Sequence, residues 1–262
     1  MSRILAANWK MNLAIAEART LYAEIADARK LHPDLTMIVF PTIASLHALA
    51  EARTGAEPAL GAQNCHGEPR GAFTGEVSAE QVRDAGAEYV LVGHSERRRL
   101  FCENDLIVKG KLGAAWRAGL TPLLCVGETL AERERRETQE VLARQLTRAL
   151  EGAPARARLL VAYEPVWAIG TGVVATPDQV AEAHGWVQAE LRAQGRLGTG
   201  LSTPVLYGGS VDPKSAAPLA ALPEVDGFLV GGASLNAPAF LSIAGSLASA
   251  AVRAPGRPAG AD

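Results

Sequence analysis

The chain has 262 residues, a formal net charge of −2, 48% hydrophobic and 21% charged residues. That length suits one α/β domain with a large core, and the near-neutral balance leaves no electrostatic footprint for nucleic acid or an anionic membrane, while a local basic pocket for a small phosphate stays open. Cys65, Cys102 and Cys125 are an odd, widely spaced set outside any metal-ligand pattern, which argues against a disulfide framework or a zinc site and for a reducing compartment.

The opening MSRILAANWKMN lacks the apolar core of a signal peptide. No run of about 18 apolar residues suggests a membrane span, so a soluble, cytoplasmic protein is expected. Ile4 to Trp9 reads as a strand, and Ile15, Ala18, Leu21, Tyr22 and Ile25 then recur at helical spacing until Pro33. Thr36 to Phe40 repeats the strand, an Ala- and Leu-rich helix runs to about Arg53, and Pro58 to Gln63 is a weaker strand. After the loop QNCHGEPRGAFTGE come a short helix near Ser78 to Ala85 and a fourth strand, Glu88 to Val92. A helix from about Asp105 to Ala118 leads to the strand TPLLCV, and Glu132 to Leu150 reads as one long helix with a solvated, charged face. Arg158 to Tyr163 is the sixth strand, and Pro177 to Ala193 the following helix with Thr176 as N-cap. Pro204 to Tyr207, a short helix near Pro213, Val225 to Val230 and a helix from about Ala237 to Val252 complete the series.

Eight strand–helix alternations with almost continuously apolar strands predict a closed parallel sheet buried on both faces, an α/β (β/α)8 barrel. Residues 1-252 are expected to form this single catalytic domain and residues 253-262 a flexible tail. In such a barrel the loops after the strands converge on one rim, so residues distant in sequence can share a site.

The candidates all stand at that rim. VAYEPVWAIGTG delivers Glu164 to the end of a buried strand, where a carboxylate can act as a base; the glycines Gly170 and Gly172 let the following loop approach a ligand like a lid. A strand ending on a solvated Glu is the plainer alternative. Asn8, Lys10 and Asn12 end the first strand, where Lys10 either sets a positive charge beside an anionic substrate or is a surface lysine. His94 precedes Ser95, Glu96 and Arg97; if these open a helical turn, its N-terminal field disfavours a charged imidazole and leaves a neutral donor. His32, His47, His66 and His184 lack that position. YGGS, ending on Ser210, and GGAS, starting with Gly231 and Gly232, offer unobstructed backbone N–H groups after the last two strands. Double glycines usually mark turns, but two such pairs there suit a phosphate.

AANWKMN, GAFTGEVS, VGHSERR, LLCVGET, AYEPVWAIGTG, LYGGSV and GFLVGGASL together resemble the signature segments of the triosephosphate isomerase family, in order and over almost the whole chain. The resemblance implies a TIM barrel that interconverts dihydroxyacetone phosphate and glyceraldehyde 3-phosphate in glycolysis and gluconeogenesis, without a metal or organic cofactor. It implies Glu164 as base, His94 as electrophile, Lys10 and Asn8 as substrate-binding and electrostatic residues, and Gly170, Ser210, Gly231 and Gly232 as the phosphate cradle. Glu96, beside Ser95, matches the family's supporting acid. GAFTGE resembles the dimerisation loop, so Thr74, with Phe73 next to it, implies a homodimer; the alternative is that Phe73 only anchors a local turn.

Four features depart from the family pattern. Val173-Val174 replace Lys-Thr after the lid glycine, stiffening the second hinge. Leu13 replaces a small residue, Cys102 stands where Gly is usual, and CHGEPR is atypical in the third loop. Two rival functions fit the same fold: a Schiff-base aldolase, which needs a lysine nucleophile deep in the barrel, and a non-catalytic phosphometabolite-binding barrel, which would dispense with the base, histidine or lysine.

Overall fold

The computed structural model describes residues 2–55, 57–170, 174–198 and 202–253. Gly172, Val173 and the tail sequence at 254–262 lie outside the described residues. The chain folds as one (β/α)8 barrel: β1 (Ile4–Asn8), β2 (Thr36–Phe40), β3 (Ala59–Ala62), β4 (Tyr89–Val92), β5 (Thr121–Val126), β6 (Leu160–Tyr163), β7 (Val205–Tyr207) and β8 (Gly227–Val230) form a closed barrel in sequence order. All neighbours are parallel, and β8 returns to pair with β1, with Ile4 opposite Gly227 and Ala7 opposite Val230. Around them lie α1 (Ile15–Arg29), α2 (Ile43–Ala52), α3 (Ala79–Asp84), α4 (Ser95–Leu100), α5 (Asp105–Arg117), α6 (Leu130–Glu134), α7 (Thr138–Leu150), α8 (Pro177–Ala193), α9 (Ala216–Ala220) and α10 (Ala237–Arg253).

Strand side chains alternate between two cores. Leu5, Ala7, Val90, Val92, Val161 and Tyr163 pack in a cluster that also holds helix residues such as Leu46, Leu112 and Val187. Ile4, Ala6, Ile38, Phe40, Leu91, Leu123, Cys125, Leu160, Ala162, Leu206 and Leu229 form a second cluster drawn from strands alone, which is the barrel interior. Each fully buried large side chain contributes about 1.5–3 kcal/mol. Phe40 fills part of the interior because Gly61 leaves room: a Cβ there would lie 2.3 Å from the Phe40 ring.

This parity decides what reaches the rim. Two residues beyond Ala6, Gly61 and Ala162 the inward positions are Asn8, Gln63 and Glu164, while beyond Leu91, Cys125, Leu206 and Leu229 they are Gly93, Gly127, Gly208 and Gly231.

Most expected elements match, and Thr176 caps α8 through a reciprocal capping box with Gln179. The single helix expected from Glu132 to Leu150 is instead α6 and α7. Thr129 and Glu132 form a capping box that starts α6 at Leu130. Arg136, at φ 60°, then closes it: the Glu137 N–H reaches the Glu132 carbonyl and the Arg136 N–H the Arg133 carbonyl, both at 2.9 Å. That is a Schellman stop with arginine where glycine is usual, so no breaker residue announced it. The helix expected near Pro213 begins at Ala216, because Asp212 Oδ1 first accepts the Lys214 and Ser215 N–H groups in a turn. Among the described residues, no helix is long and apolar enough to cross a membrane.

Candidate active site

A cavity of about 450 Å³ opens at the C-terminal ends of the strands. Asn8, Lys10, His94, Glu164, Gly170, Ser210, Gly231 and Gly232 all line it, joined by Asn12 and Val174.

Glu164 follows β6 and is 2% exposed. Its Oε2 accepts the Ser95 N–H at 2.8 Å, and its Oε1 lies 3.1 Å from His94 Nε2 without an aligned hydrogen bond. The Glu164 main chain passes so close to the end of β5 that a Cβ on Gly127 would lie within bonding distance of the Glu164 backbone carbonyl oxygen, which restricts that position to glycine. His94 caps α4: its Nδ1 accepts the Glu96 N–H at 3.2 Å, which assigns the proton of the neutral ring to Nε2, the nitrogen beside Glu164. The helical turn expected after His94 is therefore present.

Lys10 stands beyond β1 with φ 52°, a left-handed backbone that a lysine adopts only when its surroundings hold it. The Asn8 side chain accepts the Lys10 N–H at 3.0 Å, and Gln63 donates to the Lys10 carbonyl at 2.7 Å. At the far end the ammonium meets Glu96 Oε1 at 2.5 Å. Burial opposes ionisation of Glu96, yet the Lys10 hydrogen bond and charge, with His94 and Arg99, hold its carboxyl below the usual carboxylate range. Glu96 thus touches Lys10, and the Ser95 amide touches Glu164.

Gly208, Gly209, Gly231 and Gly232 border the opposite side of the cavity. Ser210 spends its hydroxyl on the Ala168 carbonyl at 2.6 Å, and Ser234 spends its own on the Gly231 carbonyl at 2.6 Å. Gly231 leaves space into which the Lys10 stem packs, its Cε 3.4 Å from where a Cβ would lie.

Phe73 and Thr74 lie outside the cavity, on the exposed loop after β3, where the Phe73 ring packs 4.2 Å from the His66 ring. Two departures from the family pattern share one geometry: Leu13 has φ 70° and Cys102 φ 55°, both in the region that favours glycine. All three cysteines are free.

Sequence reasoning passed over Gln63 and Glu128. Glu128 is fully buried after β5 and accepts from Trp167 Nε1 at 2.8 Å, Tyr163 Oη at 3.1 Å and Arg133 Nη1 at 3.3 Å, tying the segment after β6 to the one after β5. Arg133 also stacks 4.7 Å over the Trp167 ring. The available signal was positional: both residues are polar and stand within two residues of the end of an apolar strand.

The chain is similar to known proteins over nearly its whole length. A family model described as triosephosphate isomerase matches residues 3–247. The triosephosphate isomerase of Bdellovibrio bacteriovorus is 49% identical over 93% of this chain and 99% of its own. That of Xanthobacter autotrophicus is 47% identical over 92% of this chain and 95% of its own. The crystal structure of the Bartonella henselae triosephosphate isomerase superposes with a TM-score of 0.82 at 39% identity, covering 94% of this chain and 99% of that one. With the barrel, the cavity and the sequence in accord over nearly its whole length, the chain belongs to the triosephosphate isomerase family.

Proposed function

We propose that Glu164, His94 and Lys10 perform the family's reaction here, interconverting dihydroxyacetone phosphate and D-glyceraldehyde 3-phosphate. Glu164 takes a proton from the carbon beside the substrate carbonyl, and the electron pair left behind moves onto oxygen as an enediolate. His94 Nε2–H donates to that oxygen and the Lys10 ammonium stabilises its charge. His94 Nε2 gives its proton to that oxygen and takes the proton of the neighbouring hydroxyl, moving the charge to the other oxygen; as the new carbonyl forms there, the protonated Glu164 returns its proton to the neighbouring carbon. Asn8 holds Lys10, while Gly170, Ser210, Gly231 and Gly232 take the phosphate on their backbone. Closing the lid over them excludes water from the enediolate and strengthens these interactions.

The observation that carries the reading is the 3.1 Å approach of His94 Nε2 to Glu164 Oε1 beside the Lys10–Glu96 pair, in a cavity bordered by glycine backbone. A Schiff-base aldolase has less support: Lys10 is paired with Glu96, and the buried Lys111 is bound to Glu103 and Asn64. The test is turnover of both triose phosphates by the wild type and by Glu164→Ala. The wild type is active, and the folded variant loses roughly 10²–10⁴-fold in kcat. Comparable rates would place the base elsewhere; an inactive wild type that still binds a triose-phosphate analogue would favour the binding barrel.

The same reading makes the chain a cytoplasmic homodimer. Three consecutive rim loops expose large apolar side chains, Met11 at 93%, Ile43 at 47% and Phe73 at 42%, which suits a second copy covering that side with Thr74 at the contact. Sedimentation of the purified chain as a monomer at micromolar concentration would refute this.

A further inference from the structure

Arg98 has no role in the chemistry above, yet its side chain folds back from α4 beneath the His94 turn. Nε donates to the Gly93 carbonyl at 2.9 Å, and Nη1 donates to Asp105 Oδ1 at 2.7 Å. The Arg98 and Asp105 side chains are 18% and 20% exposed. Nη2 is buried without a hydrogen-bond partner among the described residues, an arrangement that costs about 1–3 kcal/mol or more for a charged group. A guanidinium kept buried with one donor unsatisfied is held for something other than economy of burial.

What it holds is the bend before His94. Gly93 has φ 71°, and a Cβ on it would meet Val108 Cγ2 at 3.0 Å and Arg98 Nη2 at 3.2 Å. The left-handed glycine makes the bend, and the guanidinium occupies the space under it while gripping its carbonyl. His94 and Ser95 are the next two residues, so the orientation of the Gly93 carbonyl sets both the imidazole and the amide on which Glu164 rests. Arg98 is also near enough to matter electrostatically. Burial first pushes the Cys125 thiol up, Glu164 adds to that rise and Arg98 opposes it, so both charges reach the same buried sulfur.

We infer that Arg98 is a positioning residue for the isomerisation: by pinning the Gly93 carbonyl it fixes His94 Nε2 and the Ser95 amide together, and Asp105 keeps the guanidinium in register. The inference rests on the roles proposed for Glu164 and His94. Misplacing a reacting group by about 1 Å can cost 10²-fold. A lysine could reach one acceptor but not grip two at a fixed angle.

The test uses the full chain as wild type, Arg98→Met, Arg98→Lys and Asp105→Asn. The readouts are kcat, KM for a triose phosphate, competitive inhibition by inorganic phosphate, and thermal unfolding. Arg98→Met lowers kcat by roughly 10- to 100-fold while KM and phosphate inhibition stay within about threefold, because the glycine cradle is not disturbed. Arg98→Lys recovers part of the lost kcat. A folded Arg98→Met with near-wild-type kcat, or one in which kcat and phosphate inhibition fail together, overturns the inference. So does Arg98→Lys no better than Arg98→Met. If Arg98→Met does not fold, Asp105→Asn, which keeps the side-chain volume, decides by the same split. A wild type without isomerase activity would defeat the proposed function itself, an outcome distinct from an active wild type indifferent to residue 98.

Discussion

The two halves of the rim solve different problems. After β1, β4 and β6 the cavity is lined by side chains that are charged or can become so, and each has a partner before any ligand arrives: Lys10 on Glu96, Glu164 on the Ser95 amide, His94 on the Glu96 amide. After β7 and β8 it is bordered by two glycine pairs, Gly208–Gly209 and Gly231–Gly232, and the hydroxyls of Ser210 and Ser234 are turned inward onto carbonyls. Burying an unpartnered charge is expensive, so the first half needs a supporting layer; the second needs only open amides and no side chain in the way. The first half is therefore sensitive to what its residues are, the second to what they lack.

Substitutions on the two sides should separate accordingly. On the side-chain half, His94→Ala removes the donor proposed for the reacting oxygen, and kcat falls roughly 10²–10³-fold with KM little changed. A variant that lost only KM would erase the distinction. On the backbone half, Gly232→Ala introduces a Cβ that meets nothing within 4 Å, so stability is retained. The methyl intrudes only on a bound phosphate, and KM rises about tenfold, or about 1.4 kcal/mol, with kcat preserved. A fall in kcat without a rise in KM would show the halves to be one unit.

The histidines sharpen the contrast. His184, in α8, is fully buried beside Tyr163 and Tyr207, with Nδ1 3.0 Å from the Glu224 carbonyl. Burial, only partly offset by that hydrogen bond, pushes its pKa down to about 4. The unfolded chain therefore binds a proton that the folded one refuses, and stability falls as pH drops from the ordinary imidazole value toward about 4, levelling off below. The loss is on the order of 3 kcal/mol across that window. Urea midpoints at pH 7 and pH 5 should fall further apart for wild type than for His184→Gln; equal separations would mean that His184 is not the titrating group. The smallest effect lies away from both halves. Cys102 is exposed and left-handed, so Cys102→Gly relieves about 1 kcal/mol of backbone strain and raises Tm by about 2–3 °C. An unchanged Tm would mean that the loop absorbs the strain.

The sequence made the barrel legible because buried parallel strands leave an uninterrupted apolar run, and Thr36–Phe40, Thr121–Val126 and Pro177–Ala193 appear with the bounds their patterns predict. It made the residues lining the cavity legible because strand parity puts Asn8 and Glu164 inward at the rim. The break between α6 and α7 was hidden, since an arginine occupies the left-handed stop. The supporting layer was mostly hidden too. Glu128, Gln63 and Arg98 act through hydrogen bonds to groups 35, 53 and 5 residues away, and no local periodicity encodes such partners.

One further consequence comes from the way the ring closes. β1 has β2 on one side and β8 on the other, and the Lys10 stem lies against Gly231, so the first and last strands share a wall of the cavity. A chain emerging from the ribosome has Lys10 early, but the wall that Lys10 shares with Gly231 cannot form until Gly231 and Gly232 have cleared the exit tunnel. Throughout that interval β1 presents an open edge, the kind of template on which chains pair wrongly.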